Sequence, residues 1–232
     1  MNRQAVNPYL PSWEYIPDGE PHVFNGRVYV YGSHDRFNAP IFCVNDYVCW
    51  SAPVEDLSEW RYEGVIYRKK QDPKNPLGYH LLFAPDVCQG PDGRYYLYYA
   101  FDFLGIMSVA VCDTPAGEYK FLGHIHYADG TLWGRRRGDQ LPFDPGVLVD
   151  DDGRVWLYSG FYNAVPAILT GGHKLRCDGG TVLELEKDMV TIKTEPRVIF
   201  PKKGPGAFQG HEFFEASSIR KEGKTYIFEI GR

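Results

Sequence analysis

A strand motif occurs four times in this chain and limits the folds open to it. In each copy a turn glycine leads into an alternating, aromatic-rich run, in the segments VFNGRVYVYGSHD, VCQGPDGRYYLYYA, VLVDDDGRVWLYSG and IRKEGKTYIFEIG. The turn glycines, Gly26, Gly93, Gly153 and Gly223, are separated by 67, 60 and 70 residues. Self-similarity over such a period predicts a repeat architecture whose equivalent positions face a common axis.

An acidic residue precedes each turn glycine by seven to nine positions. The four acids are Asp18, Asp86, Asp144 and Glu215. Because equivalent positions of a repeat converge on its axis, these carboxylates are expected to lie near one another. Convergent carboxylates in a cleft are what acid/base hydrolysis of a glycosidic bond requires.

The sequence predicts a second hairpin after each of the first three motifs. The segments IFCVNDYVCWSAPVEDLSEWRYEGVIY, SVAVCDTPAGEYKFLGHI and TVLELEKDMVTIKTEPRVIF alternate apolar and polar residues between turn formers, and no stretch has capped helical periodicity. Two hairpins make a four-stranded sheet, the blade of a β-propeller. We therefore predict an all-β fold in which residues 1–232 form a single, incomplete propeller domain. Nine residues follow Gly223, which predicts three complete blades and part of a fourth.

Charge and hydropathy argue against two classes of partner. The net charge is −5, and Arg135–Arg137 is a short basic run that one exposed loop explains, so no nucleic-acid partner is expected. No stretch resembles a signal peptide or a membrane span, so we expect a cytoplasmic protein without a membrane partner. The five cysteines lack metal-ligand spacing and are expected to be reduced thiols of the core.

Four segments resemble, in order and spacing, those of glycoside hydrolase family 43: IPDGEPHVFNGRVYVYGSHD, FAPDVCQGPDGRYYLYYA, FDPGVLVDDDGRVWLYSG and FFEASSIRK. The resemblance spans nearly the whole chain. It implies a five-bladed β-propeller, an inverting mechanism, and substrates that contain xylose or arabinose. It implies no required cofactor. Many relatives hold a structural calcium ion in the channel, but this sequence has no carboxylate cluster with calcium-loop spacing to support one.

The resemblance also implies three catalytic carboxylates. Asp18 matches the base, although a shift of two residues would place Glu20 beside the proline that usually follows the base. Asp144 matches the second carboxylate, which tunes and orients the acid. Its competitors, the aspartates 150–152, have the chemistry of a hairpin turn.

The general acid matches Glu215, with Glu212 as the nearby alternative, and strand alternation would let only one of the two face the channel. Burial and the charge of Asp144 are expected to keep Glu215 protonated. The resemblance gives Asp86 no chemical role, so we interpret it as structural or as a substrate contact.

Aromatic and histidine side chains near these acids are candidates for sugar binding. A flat ring against a sugar face supplies apolar contact and shape discrimination, although the same rings can simply pack between blades. The candidate substrate-binding residues are Trp13, His22, Phe83, Asp86, Phe143, Phe161 and His211.

The leading hypothesis is an inverting, exo-acting β-xylosidase or α-L-arabinofuranosidase that acts on xylan- or arabinan-derived oligosaccharides. The first alternative is a truncated propeller that binds carbohydrate or a partner without catalysis. The second is an enzyme that is active only when an oligomer or a second chain completes the propeller.

Overall fold

A computed structural model of the chain describes residues 7–203 and 209–231. This part forms fourteen strands and one short 3-10 turn, so the predicted all-β class is confirmed. The strands are β1 Glu20–Phe24, β2 Arg27–Tyr31, β3 Tyr47–Pro53, β4 Arg61–Tyr67, β5 Asp86–Gln89, β6 Tyr95–Ala100, β7 Met107–Cys112, β8 Lys120–His124, β9 Gly146–Val149, β10 Val155–Ser159, β11 Gly179–Leu185, β12 Arg197–Pro201, β13 Glu215–Glu222 and β14 Thr225–Gly231, and the 3-10 turn is Lys69–Gln71.

The strands pair in sequence order into antiparallel sheets. Strands β1–β4 form sheet I, β5–β8 sheet II and β9–β12 sheet III, each four-stranded, and β13–β14 form the two-stranded sheet IV. Every hairpin predicted from the sequence is present. Four-stranded sheets that follow one another in this way are propeller-type architecture.

The four repeated glycines close the first hairpin of each sheet. Gly26, Gly93, Gly153 and Gly223 have φ of 76°, 84°, 78° and 60°. Glycine adopts this left-handed conformation without the steric cost that a Cβ brings. The periodic glycines of the sequence are therefore the turn positions that set the start of each aromatic second strand.

The first strands of the sheets contact one another in sequence order: β1 with β5, β5 with β9 and β9 with β13. Strands β9 and β13 approach so closely that a Cβ on Gly146 would lie 2.5 Å from the carbonyl oxygen of Ser217. Each first strand follows or begins with one of the repeated acids. This packing is what brings residues far apart in sequence to one place.

Tyrosines fill the interface between sheets I and II. Tyr31, Tyr47, Tyr67 and Tyr99 are fully buried in one cluster. Their hydroxyl groups have partners: Tyr67 and Tyr99 oxygens lie 2.7 Å apart, and Tyr99 donates to Asp72 at 2.7 Å. Burial of a large ring is stable when its polar end is satisfied in this way. Many of the aromatic residues thus serve the core.

The cysteines are free thiols, as predicted, and Cys112 is the one that is half-buried while the other four are buried. Within residues 7–203 and 209–231, no helix is long and apolar enough to cross a bilayer.

Candidate active site

Three of the four repeated acids line one cavity of about 350 Å³. Asp18 lies two residues before β1, Asp144 two residues before β9, and Glu215 is the first residue of β13. Convergence of the first strands therefore brings the three carboxyl groups together. The other lining residues are Pro17, Asp35, Phe42, Cys43, Phe83, Ala84, Phe103, Phe143 and Phe161.

The backbone around the acids adopts the left-handed conformation three times. The φ angles are 55° at Asp18, 46° at Asp144 and 57° at Ala216, next to Glu215. Aspartate tolerates this region better than most residues, whereas alanine does so at a cost of about 1–2 kcal/mol. Such departures persist when the surrounding structure imposes them, and they are concentrated at functional sites.

Asp144 is buried among negative charge. Its side chain accepts a hydrogen bond from the Ala216 N–H at 3.1 Å, and the residue is 6% exposed. Burial raises the pKa of Asp144 well above its ordinary value, and the charges of Glu215 and Asp18 raise it further against the effect of that hydrogen bond. The environment therefore favours the protonated form of this carboxyl.

Glu215 and Asp18 differ in exposure: Glu215 is half-buried and Asp18 is exposed. Burial raises the pKa of Glu215, and the charge of Asp18 raises it further. That charge was expected from Asp144, whose own pKa is raised. Asp18 accepts a hydrogen bond from the Ser33 hydroxyl at 2.8 Å. A half-buried carboxyl group with a raised pKa and an exposed carboxyl group thus share one cavity.

The competing acids lie elsewhere. Glu20 is absent from the wall of this cavity and accepts hydrogen bonds from Arg220 and from Ser218, the latter at 2.9 Å. Glu212 precedes β13, so the alternation argument does not apply to it, and its carboxylate accepts the Gly210 N–H at 3.0 Å. Glu20 lines a second cavity of about 260 Å³ together with Asp18 and Asp144, but neither competitor lines the cavity that contains Glu215.

The aspartates 150–152 belong to the hairpin turn, as the sequence indicated. Asp150 and Asp151 both bind the ammonium group of Lys221, and Asp152 binds Arg154 at 2.7 Å. Hydrogen bonds from Lys221 and Tyr226 lower the pKa of Asp150 to about 2. These carboxylates are ionised partners of a surface turn.

Phenylalanine rings form one wall of the cavity. Phe83, Phe143 and Phe161 were candidates from sequence, and Phe42 and Phe103 join them. Phe103 stacks on Phe143 with ring centroids 5.4 Å apart, and Phe143 lies 4.8 Å from Phe161. Such a wall can cover the apolar face of a sugar ring beside the acids.

Sequence reasoning missed part of the lining because the loop between β2 and β3 carries it. Asp35, Phe42 and Cys43 come from this loop, where Cys43 has φ of 57° and its N–H donates to an Asp35 carboxylate oxygen at 2.5 Å. The Ser-His-Asp triplet ending at Asp35 was the available signal. Burial raises the pKa of Cys43 to about 12, so its thiol is neutral in this cavity.

Four predicted contacts are not in the cavity wall as the structure describes it. Trp13 is 66% exposed and packs against Trp50 with ring centroids 5.9 Å apart. His211 is exposed in the segment before β13. His22 and Asp86 bind each other, with Nε2 and Oδ1 2.6 Å apart, and His22 lines a different cavity.

A possible cation cluster does not fit calcium. Glu20, His22 and Asp86 each place one ligand atom within 4.8 Å of the others. Calcium prefers six to eight oxygen ligands. Here His22 donates to Asp86 Oδ1, the Val147 N–H donates to Asp86 Oδ2 at 2.6 Å, and Arg220 donates to Glu20. The carboxylate oxygens of Asp86 and Glu20 that an ion would need already accept hydrogen bonds from protein groups.

Comparison with known proteins places this architecture in a family. The family model of glycosyl hydrolases family 43 matches residues 17–229. A xylosidase/arabinosidase of Thermoclostridium stercorarium is 60% identical over 98% of this chain, but the match covers 47% of the relative. Xylosidase/arabinosidase 43A of Humicola insolens is 31% identical over 92% of this chain and 71% of its own length. The chain thus spans less than half of the first relative.

Solved structures agree with the family match. A family 43 β-xylosidase/α-arabinofuranosidase from a compost microbial metagenome, in complex with xylotriose and in a calcium-free form, superposes with a TM-score of 0.69. It is 26% identical, over 97% of this chain and 72% of that structure. Residues 17–229, which the family model matches, include all four repeated acids, sheets I–III and every residue that lines the cavity. The chain therefore belongs to glycosyl hydrolase family 43.

Proposed function

We propose that this chain forms the catalytic part of an inverting glycoside hydrolase that releases xylose, arabinose or both from xylan- or arabinan-derived oligosaccharides. One observation carries the proposal: Asp18, Asp144 and Glu215 share a cavity that five phenylalanine side chains also line. Acids supply the chemistry and flat rings supply a sugar-binding surface.

Each acid has a role that its environment supports. Asp18, which is exposed, takes a proton from the attacking water, and Glu215, whose pKa is raised, donates a proton to the leaving oxygen. Inverting enzymes hold these two carboxyl groups ~6.5–9.5 Å apart so that a water fits between base and sugar. Asp144, whose pKa burial raises, lies beside Glu215 and orients it. The bond from the glycosidic oxygen to the anomeric carbon breaks as water attacks the opposite face.

The substrate class rests on the family match and on the wall of the cavity. Relatives named for xylosidase and arabinosidase activity match nearly the whole chain, and one solved relative holds xylotriose. Phe83, Phe143 and Phe161 would stack on the sugar that is released. Trp13, His22, Asp86 and His211 are not assigned to substrate binding in this proposal, because other contacts or exposure account for them.

The complete catalytic unit is proposed to be a five-bladed propeller. Sheets I–III would be three whole blades and sheet IV part of a fourth. Further polypeptide, or a second chain, would complete the ring and close the open edge of β14. No cofactor is required by the mechanism above, and a calcium ion would have to bind through groups other than Glu20, His22 and Asp86.

The test is hydrolysis of aryl β-xyloside and aryl α-L-arabinofuranoside by the purified chain. Asp18→Asn and Glu215→Gln should each lower kcat about 10²- to 10⁴-fold, because each removes one proton-transfer partner. Asp152→Asn, in the surface turn, is the matched control and should leave kcat unchanged. Proton NMR of the first-released sugar should show inverted anomeric configuration.

Two results would contradict the proposal, and a third would show that the chain needs completion before it is active. Turnover equal to that of the variants would favour a binding propeller without catalysis. Activity that appears only in an oligomer, or after a second chain is added, would favour an enzyme that needs completion. A retained anomeric configuration would exclude the inverting mechanism.

A further inference from the structure

One arginine joins the two ends of the series of first strands. Arg220 of β13 donates through Nη2 to Glu20 Oε1 and, at 3.0 Å, to the carbonyl oxygen of Pro21, both in β1. Its Nη1 donates to the Ile219 carbonyl oxygen at 2.9 Å, which fixes the guanidinium against its own strand. The Ser218 hydroxyl donates to the same Glu20 oxygen at 2.9 Å. We call this set of contacts the β1–β13 clamp.

The clamp differs from the arginine pairs of the hairpin turns. Arg94 and Arg154 each bind an aspartate two positions away in an exposed hairpin turn. Arg220 and Glu20 are 200 positions apart, and their side chains are 35% and 17% exposed. Exposed local pairs contribute little, whereas a partly buried fork with two acceptors on another strand fixes geometry. The clamp is therefore a tertiary restraint.

The two residues of the clamp lie close in sequence to Asp18 and Glu215. Glu20 follows Asp18 by two residues, and Arg220 follows Glu215 by five residues in the same strand. Packing of β1 on β5, β5 on β9 and β9 on β13 also connects these two strands. The clamp adds direct hydrogen bonds between the strand that follows the proposed base and the strand that begins with the proposed acid.

We propose that Arg220 is a positioning residue, which sets the separation of Asp18 and Glu215 by holding Glu20 and Pro21 of β1 against β13. This inference rests on the proposed function, because those two carboxyl groups are the base and acid assigned there. The sequence left Glu20 open as the alternative base. In this proposal Glu20 instead positions Asp18, because the two residues are joined by a short stretch of backbone.

The pKa of Glu215 depends on the distance between Glu215 and Asp18. The charge of Asp18 contributes to the raised pKa of Glu215. The other acidic groups on the cavity wall are Asp144, whose pKa burial raises, and Asp35, which is held by the loop between β2 and β3. If the clamp opens, Asp18 moves away from Glu215 and its influence on the pKa of Glu215 falls.

The first experiment measures kcat, KM and the pH profile of three variants. Arg220→Met removes the donors and keeps the length of the side chain, and Arg220→Lys keeps the charge without the planar fork. Arg154→Met, which breaks an exposed turn pair, is the control. For Arg220→Met we expect a fall in kcat of about 10- to 100-fold with KM within about threefold, since a displacement of ~1 Å can cost that much. The alkaline limb should move to lower pH.

Arg220→Lys should fall between the wild type and Arg220→Met, and Arg154→Met should match the wild type. Equal kcat and equal alkaline limbs for Arg220→Met and Arg154→Met would overturn the inference. Near-ultraviolet circular dichroism establishes that each variant is folded, and Arg220→Lys carries the test if Arg220→Met is not.

A second measurement does not depend on turnover. Carbon-13 NMR titration gives the pKa of Glu215 with and without Asp18→Asn, in the wild type and in Arg220→Met. We expect Asp18→Asn to lower the pKa of Glu215 more in the wild type than in Arg220→Met. An equal effect in both backgrounds would overturn the inference whatever the activities are. A wild type without hydrolysis but with this difference would refute the proposed function and leave the clamp standing.

Discussion

Asp86 and Asp144 are the repeated acids of successive sheets, one the first residue of β5 and the other two residues before β9, and both are nearly inaccessible, at 1% and 6% exposure. Their surroundings are opposite. Asp86 accepts hydrogen bonds from His22, from its neighbour Val87 N–H and from Val147 N–H, at 2.6–2.7 Å. In the described part of the chain, Asp144 accepts one bond, from Ala216 N–H, and it shares a cavity with two other acids.

The difference indicates that the number of hydrogen-bond donors, rather than burial, separates Asp86, a structural carboxylate, from Asp144, which the proposed function places beside the reaction. A buried carboxylate with several donors is stable as an anion and ties its neighbours together. A buried carboxylate with few donors and acidic neighbours holds its proton and reduces stability when it ionises. Asp86 therefore links β1, β5 and β9, whereas Asp144 is available to the chemistry beside it.

Replacing Asp86 tests whether its hydrogen bonds stabilise the fold, and we expect the largest loss of stability here. Asp86→Asn puts an amide N–H₂ where the site supplies only donors, so at least one donor loses its acceptor. We expect a loss of about 3 kcal/mol in the free energy of unfolding. Urea denaturation followed by tryptophan fluorescence measures it, with Asp92→Asn in an exposed turn as the control. A loss no larger than that of Asp92→Asn would show that Asp86 contributes no more to stability than an exposed turn aspartate.

Gly146 tests whether close packing of β9 on β13 is what brings Asp144 beside Glu215. A Cβ at Gly146 would lie 2.5 Å from the Ser217 carbonyl oxygen, so the strands must separate. We expect Gly146→Ala to cost about 1–3 kcal/mol. Gly123→Ala is the matched control, because its Cβ would meet a Val190 methyl at an ordinary 3.5 Å. Equal stability of the two variants in thermal unfolding would show that β9 moves freely.

Asp144→Asn should have the opposite sign to Asp86→Asn. Because the pKa of Asp144 is raised in the folded state, its ionisation disfavours folding, and this cost grows as pH rises from its unfolded value near 3.8 through its folded value. Asparagine removes the cost and tolerates the φ of 46°. We expect a gain of about 0.5–2 kcal/mol at pH 8 that vanishes near pH 3.5.

Thermal unfolding of wild type and Asp144→Asn at several pH values measures that gain. A pH-independent difference would mean that Asp144 does not titrate with folding. A loss of stability at pH 8 would mean that Asp144, like Asp86, is a satisfied anion.

Replacing Ala216 should change the free energy of unfolding least. The variant tests the strain of the backbone at Ala216, whose N–H donates to Asp144. Its φ of 57° costs about 1–2 kcal/mol for a residue with a Cβ, and Gly removes that cost at an entropic loss of about 0.5–1 kcal/mol. Ala216→Gly should therefore raise the free energy of unfolding by roughly 0.5 kcal/mol. Ala52→Gly, in β3, should lower it. Equal losses in the two variants would mean that the turn at Ala216 carries no strain.

Local chemistry made the strands and hairpin turns predictable. Alternation and the turn formers indicated every hairpin from β1 to β14, because a strand's two faces and a turn glycine's positive φ are properties of neighbouring residues. The recurrence of Asp18, Asp144 and Glu215 pointed to one site for the same reason: a repeat puts its equivalent positions in equivalent places.

Long-range contacts decided the rest. The donors that make Asp86 structural come from β1 and from Val147, 61 residues away, and no local pattern reveals them. The same holds for the clamp between Arg220 and Glu20, which are 200 residues apart. Phe42 and Phe103 reached the cavity through a loop and a strand end whose course depends on their neighbours.

The sequence by itself determined the repeat, its strands and turns, and the family to which the four motifs belong, because those depend on residues close together in the chain. Only the tertiary structure decided that donors from three strands hold Asp86, whereas Asp144, with one donor and acidic neighbours, has a raised pKa. That difference depends on how many N–H and O–H groups reach each carboxyl group, and packing of β1, β5, β9 and β13 supplies them.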